Sequence, residues 1–200
     1  MTDQTGGRRV VTNIALSLDG HYAAPADPLD MSWVMPYAVT DVARDHLTTL
    51  RESATTAMLG RVNAEGFLGF WPTVIGMEGA DPRDEGFAQW LVDTDKVVLS
   101  STLDEAPWER TTIADKPAAE VVTDLKATAG GDILVLSSAS VIKALLAADK
   151  VDRLALTVFP IFLGGGPRLF DDGLPAGQWT LASQAAGDHG TLALVYDRIR

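Results

Sequence analysis

The sequence contains no cysteine. This absence excludes disulfide scaffolds, thiolate zinc sites and cysteine nucleophiles. Basic residues are also few, since 16 Lys and Arg stand against 27 Asp and Glu and leave a net charge of −11. Such a balance repels phosphodiester backbones and anionic lipid headgroups, so we expect no nucleic-acid partner and no membrane partner. The net negative charge is still compatible with a small anionic ligand, because a local cluster of basic residues can bind an anion on a protein that is negative overall.

Long apolar runs are missing too. No stretch approaches the roughly 18 apolar residues of a membrane-spanning helix, and the arginines near the N-terminus are not followed by the apolar region of a signal peptide. We therefore expect a soluble, cytoplasmic protein. At 46% hydrophobic, the 200 residues can bury a core of ordinary size. No linker or composition break divides them, so we predict one domain over residues 1–200.

Short apolar segments alternate with helical patterns along the chain. Strands are predicted at 10–17, 55–59, 96–100, 110–114, 133–136 and 152–159, and helices at 40–52, directly after Gly60-Arg61, at 118–128 and from Ser137–Ser140 to Ala148. Two alternating segments, 179–185 and 191–199, predict a C-terminal hairpin. This order favours a three-layer α/β/α sandwich with a mostly parallel central sheet and an antiparallel end.

The connecting segments carry further predictions. Thr40 is expected to cap the first long helix. Residues 23–36, with three prolines, predict a loop. Residues 73–86 predict an irregular surface segment that is the most mobile part of the chain.

Three strand-to-helix or strand-to-loop junctions carry residues suited to an anionic ligand. In an open α/β sheet, ligands bind beyond the carboxyl ends of the strands, where helix N-termini offer free N–H groups. The junctions are Gly60-Arg61, Ser100–Thr102 and Ser137–Ser140. Each alone is equally typical of a turn or a helix cap, and no G-x-G-x-x-G or Walker motif is present. Their occurrence in one predicted sheet indicates a nucleotide site.

Two other features leave alternatives open. The triple glycine at 164–166 either closes a tight loop or lets a ligand approach the backbone, and Arg168 nearby could meet an anionic group. The histidines, His21, His46 and His189, lack metal-ligand spacing, so we expect no metal site and interpret them as surface or structural residues.

Several motifs, taken in order, resemble one known family. Ser17–Gly20 is similar to the family's Ser-Leu-Asp-Gly motif, and Leu59–Phe67 is similar to its Gly-Arg-x-Thr-Tyr-Glu segment. Lys96–Leu103 is similar to its next cofactor strand. Lys150–Arg153 is similar to its Leu-Val-Asp-Glu motif, and Pro160–Phe170 to its Pro-x-x-Leu-Gly-x-Gly-x-x-Leu-Phe motif. The chain thus resembles the dihydrofolate-reductase-like superfamily over almost its whole length. Within that superfamily it is most similar to the reductase domain of bacterial riboflavin biosynthesis and its stand-alone relatives.

The resemblance implies NADPH as hydride donor and assigns residues to it. Gly60, Arg61, Asn63, Ser100 and Ser101 would lie at the adenosine 2′-phosphate end; Ser137, Ser138, Ala139, Ser140 and Val141 at the pyrophosphate; and Ala15 and Gly20 beside the nicotinamide. Trp33, Pro160, Gly164, Gly165 and Gly166 would border the substrate.

This chain departs from the family pattern at four of these motif positions. Ser101 stands where relatives commonly carry arginine, which removes a positive charge and leaves the choice between NADPH and NADH open. Ser137 replaces a common glycine, Arg153 a common glutamate, and Asn63 the usual threonine.

The implied function is an NADPH-dependent reductase of a pyrimidine- or pteridine-type substrate, with activity like 5-amino-6-(5-phosphoribosylamino)uracil reductase. Asp19 is the carboxylate expected to orient the substrate or relay a proton. Without cysteine the chain lacks a zinc deaminase, so we expect a stand-alone enzyme.

Two alternatives are a dihydrofolate-type pterin reductase, whose buried carboxylate would be Asp41 or Asp45, and a non-enzymatic nucleotide-binding protein that kept the fold. Relatives are often homodimers. We expect a homodimer here too, with Leu154–Phe162 and the C-terminal hairpin at its interface.

Overall fold

The computed structural model describes residues 7–200, so the start of the chain, on which the signal-peptide prediction rests, lies outside the described residues. Its strands are β1 (Val10–Ser17), β2 (Ala54–Gly60), β3 (Asp95–Leu99), β4 (Thr111–Ala114), β5 (Asp132–Leu136), β6 (Arg153–Phe159), β7 (Gln178–Ala186) and β8 (Leu192–Ile199). Its α-helices are α1 (Met35–Ala38), α2 (Asp41–Glu52), α3 (Arg61–Phe70), α4 (Pro82–Asp93), α5 (Ala118–Lys126) and α6 (Ala139–Ala147). Short 3₁₀ turns cover Trp71–Val74 and Asp188–Gly190.

The strands form a single eight-stranded sheet in the order β4-β3-β2-β5-β1-β6-β8-β7. The six strands from β4 to β6 are parallel, whereas β8 runs antiparallel to both β6 and β7. The predicted mostly parallel sheet with a C-terminal antiparallel hairpin is confirmed. Because the carboxyl ends of six parallel strands meet at one edge, the junctions singled out in the sequence are brought together there.

Helices cover both faces of this sheet, as the predicted sandwich requires. Strand β5 shows why its sequence is an unbroken apolar run: Ile133 and Val135 pack into the core beneath α5 and α6, while Leu134 and Leu136 pack into the core beneath α2, α3 and α4. In a strand that is buried on both faces, both sets of alternating side chains contact a core, so neither set is polar.

The prediction of an irregular segment over 73–86 is wrong from Pro82 onward, because α4 begins there. Asp81 caps the helix by accepting a hydrogen bond from the Arg83 N–H at 2.9 Å, and proline fits the first helical turn, where no N–H partner is needed. Arg83 also contacts Asp41 and Asp45 on α2, and Phe87 is buried. The proline that suggested a break in the sequence is therefore a helix start.

Two smaller predictions also need correction. The loop over 23–36 ends at residue 34, because α1 begins at Met35 with Pro36 in its first turn. Thr40 occupies the N-cap position of α2, but its hydroxyl donates to the Tyr37 carbonyl at 2.6 Å and makes no capping bond to the helix.

The expected dimer interface is wrong for part of its length. Strand β6 lies between β1 and β8, and its residues Leu154, Ala155 and Phe159 are buried, so this strand is not available to a partner. Arg153 at its start pairs with Asp197 on β8 at 2.6 Å, which accounts for the arginine at this position.

Candidate nucleotide site

The carboxyl edge of the sheet holds every junction that the sequence singled out. From one side to the other it presents Ser100 after β3, Gly60 and Arg61 at β2, Ser137 and Ser138 after β5, Asp19 after β1, and Pro160 after β6. Helices α3 and α6 both begin at this edge, with their N-termini on neighbouring strands. Free N–H groups and the helix dipoles make such termini suited to anions.

The two helix N-termini are joined through Ser138. The Gly60 N–H donates to Ser138 Oγ at 2.9 Å, and the same hydroxyl donates to the Leu136 carbonyl at 2.8 Å. A Cβ on Gly60 would lie 3.4 Å from Val141 Cγ2, which is ordinary van der Waals contact, so the two segments are neighbours without the glycine being required for their approach. Asn63 strengthens the contact by donating from Nδ2 to the Ser137 carbonyl at 3.0 Å.

Ser137 has a left-handed backbone conformation, with φ of 46°. Its N–H donates to the Asn13 carbonyl of β1 at 2.8 Å, which holds the turn against the sheet. Glycine takes this conformation without strain, whereas the Cβ of any other residue raises its conformational energy. A glycine at this position would avoid the strain, so we expect the serine found here to cost some stability.

A cavity of about 420 Å³ opens at the ends of β3 and β4. Ser100 organises its floor, because its hydroxyl accepts hydrogen bonds from the backbone N–H groups of Thr102 and Leu103 at 3.2 and 3.0 Å. The lining comprises Arg61, Leu99, Ser100, Ser101, Thr102, Ala114, Asp115 and Lys116. Asp115 and Lys116 were missed in the sequence, since nothing there indicates that the loop after β4 reaches this site.

Asp19 anchors the glycine-rich loop after β6. Its Oδ1 accepts hydrogen bonds from Ser17 Oγ at 2.6 Å and the Leu163 N–H at 3.1 Å, and its Oδ2 accepts one from the Gly164 N–H at 2.8 Å. The Ser17 hydroxyl first, and then these backbone N–H groups, lower the pKa of Asp19 to about 2. The side chain is therefore a carboxylate at neutral pH, with both oxygens engaged.

The triple glycine has a structural explanation at two of its positions. Gly164 and Gly166 have φ of 70° and 100°, and a Cβ on Gly166 would overlap the Ala23 carbonyl. The reading of this motif as a tightly packed loop is thus confirmed, while its contact with a ligand stays a prediction. Arg168 lies next to His21 through an isolated β-bridge and is exposed.

Trp33 forms part of an apolar wall at the same edge. Trp33 is buried, and its ring centroid lies 6.0 Å from that of Phe159, on which Tyr37 also stacks at 5.1 Å. Because Phe159 is the last residue of β6, this cluster lies at the carboxyl end of that strand. Its position fits the predicted border of a substrate site.

The carboxylates offered for a pterin site face away from this edge. The side chains of Asp41 and Asp45 are 78% and 66% exposed and pair with Arg83 at the outer surface of α2. The inward face of α2 instead carries Val42, His46 and Leu50. The prediction that Asp41 or Asp45 faces a buried ring is therefore wrong.

The three histidines do not converge. His46 is buried, and desolvation lowers its pKa to about 4, so it is neutral at physiological pH. His21 is also buried, with Nε2 3.6 Å from Asp19 Oδ2. His189 is exposed at the hairpin turn, with φ of 59°.

Together these features describe an α/β protein whose candidate functional site lies at the carboxyl edge of its sheet. The sequence profile of the RibD C-terminal domain matches residues 8–193, so the chain belongs to that family. A comparison with curated protein sequences finds no significant match.

Solved structures share the fold at low sequence identity. A protein assigned to riboflavin biosynthesis from Shewanella sp. PV-4 is 22% identical, with 96% of this chain and 99% of that chain covered and a TM-score of 0.70. The diaminohydroxyphosphoribosylaminopyrimidine deaminase/5-amino-6-(5-phosphoribosylamino)uracil reductase of Thermotoga maritima is 14% identical, with 96% and 57% covered and a TM-score of 0.64. The dihydrofolate reductase of Enterococcus faecalis, in complex with NADP(H), is 15% identical, with 96% and 97% covered and a TM-score of 0.59. The dihydrofolate-reductase-like fold predicted from the motifs is confirmed.

Across residues 7–200, none of the helices combines the length and the apolar character needed to cross a bilayer.

Proposed function

We propose that the protein is an NADPH-dependent reductase that transfers a hydride to a pyrimidine-type substrate, with activity like 5-amino-6-(5-phosphoribosylamino)uracil reductase. The observation that carries the proposal is the joined pair of helix N-termini at α3 and α6, linked by the Gly60–Ser138 hydrogen bond. Family membership and the reductase named among the similar structures support the same reaction class. The complex of a similar structure with NADP(H) supports the cofactor.

The donor set at the carboxyl edge fits a dinucleotide. The first N–H groups of α6, over 139–141, would hold the pyrophosphate, and Arg61 with Ser101 would face the adenosine 2′-phosphate. Ala15 and Gly20 would flank the nicotinamide. When bound, NADPH supplies the hydride, so the protein itself needs to bind, orient and desolvate the reactants.

Asp19 serves this reaction best as a positioning residue. A carboxylate whose two oxygens accept bonds from Ser17, Leu163 and Gly164, and whose pKa is about 2, holds no proton to donate at neutral pH. It fixes the glycine loop that borders the substrate. The apolar wall around Trp33 excludes water from the same side.

The test is a turnover assay that follows loss of NADPH absorbance with an aminopyrimidine riboside phosphate as substrate. We expect NADPH oxidation by the wild-type protein and a loss of about tenfold or more in kcat/KM for Arg61→Gln, because a charged hydrogen bond to phosphate is removed. Arg110→Gln is the matched control, since this exposed arginine precedes β4 at the opposite edge of the sheet. Tight NADPH binding without oxidation of any pyrimidine or pterin would contradict the proposal and favour the non-enzymatic alternative.

We also propose that the protein is a homodimer through the outer edge of its hairpin. Among the described residues, β7 pairs with a strand on one side alone, and Leu181 on it is 50% exposed. A long unprotected edge is a template for pairing with another strand. Light scattering should give twice the chain mass, and a mass near 21.3 kDa would contradict the dimer.

A further inference from the structure

We propose that Lys116 is a specificity-determining residue that replaces the arginine missing at position 101. It would supply the second positive charge around the adenosine 2′-phosphate and so select NADPH over NADH. This inference rests on the proposed function and deepens its cofactor site.

Lys116 and Ser101 occupy corresponding positions in the loops that follow two neighbouring strands, β4 and β3. Leu99 on β3 pairs with Ala114 on β4, and the Ser100 N–H donates to the Ala114 carbonyl at 3.1 Å. Ser101 lies two residues after Leu99, and Lys116 lies two residues after Ala114. Both residues line the same cavity, so the Lys116 side chain brings a positive charge to the space that Ser101 borders.

The groups around the cavity suit a phosphate monoester. Ser101 and Thr102 bring exposed hydroxyls to its floor, and Arg61 stands on the side of β2. Arg61 and Lys116 thus flank the hydroxyls from opposite sides. Hydroxyl and charged donors converging on one space match the oxygens of a phosphate better than the hydroxyl of an unphosphorylated ribose.

Lys116 decides the charge balance of this cavity. Asp115 lines it too, so without Lys116 a single arginine would face a carboxylate beside the bound phosphate. Both cations have exposed partners: Arg61 contacts Glu65 at 2.7 Å and Lys116 contacts Asp124 at 3.2 Å. Exposed pairs of this kind are weak, so an incoming phosphate can displace them.

The experiment compares NADPH and NADH binding by tryptophan fluorescence for the wild type and Lys116→Gln. We expect the variant to bind NADPH about tenfold more weakly, because it loses a charged contact to phosphate. NADH binding should change by less than about twofold, since NADH has no group at this position. Lys150→Gln is the matched control, because it makes the same charge change at the opposite edge of the sheet.

A second variant tests the replacement directly. Adding Ser101→Arg to Lys116→Gln should restore NADPH binding, since the arginine returns the charge from β3. Two results would overturn the inference: Lys116→Gln keeps the wild-type preference for NADPH, or it weakens NADPH and NADH binding equally. Either result would leave the proposed function standing. Wild-type binding of neither dinucleotide would overturn the proposed function itself.

Discussion

Replacement of Ser138 by alanine should weaken the junction between the two helix N-termini. Ser138 is 1% exposed, and its hydroxyl both accepts from the Gly60 N–H at 2.9 Å and donates to the Leu136 carbonyl at 2.8 Å. Each bond contributes about 1 kcal/mol net, and an unpaired buried partner adds to the cost. We expect Ser138→Ala to lower the free energy of unfolding by about 2–3 kcal/mol. NADPH binding should weaken as well, because the two termini lose their fixed separation.

Urea unfolding measures this change directly. The midpoint should fall while the slope stays constant, since the surface exposed on unfolding is unchanged. Ser140→Ala is the control: Ser140 is an exposed serine two residues further along α6, and its loss should cost less than about 0.5 kcal/mol. Equal stability of the two variants would refute the argument that the Ser138 hydroxyl joins β2 to β5.

Three further predictions follow from single residues. Ser137→Gly should raise the free energy of unfolding by about 0.5–1 kcal/mol by relieving the left-handed conformation, and an unchanged or lower urea midpoint would contradict this. Lys96→Met should lower the free energy of unfolding by about 2–4 kcal/mol, because the buried ammonium donates to three backbone carbonyls near the end of α4. A cost below about 1 kcal/mol would contradict this, since it would show that those carbonyls find other partners. Asp19 has a pKa of about 2 against an ordinary 3.8, so its stabilisation is complete above about pH 4 and is lost as the pH falls towards 2. Thermal unfolding across this range should show wild type and Asp19→Asn converging at the acid end, and a constant difference would contradict the assignment.

The centre of the sheet was predictable because strands such as β5 are buried on both faces. A run such as Ile133–Leu136 has no polar position, which separates it from amphipathic helices. Helix α4 was harder, because Pro82 and Gly86 suggested a break. Its start depends on the Asp81 cap and on contacts from Arg83 to α2, which sequence spacing does not reveal.

The position of a candidate site residue was predictable where its motif follows a strand directly. Gly60, Ser100 and Ser138 all lie at the carboxyl edge as expected, because parallel strands bring their ends together. Lys116 was missed, since it reaches the site only through the pairing of β3 with β4. The anchoring role of Asp19 was hidden for a similar reason, because its partners are backbone N–H groups about 145 residues away.

The most direct test of the account is a fluorescence titration of the purified protein with NADPH and, separately, with NADH. Five tryptophans make quenching or energy transfer readily visible. The account predicts saturable binding of NADPH at least about tenfold tighter than that of NADH, a difference of about 1.4 kcal/mol. Absence of saturable binding for both dinucleotides would contradict it.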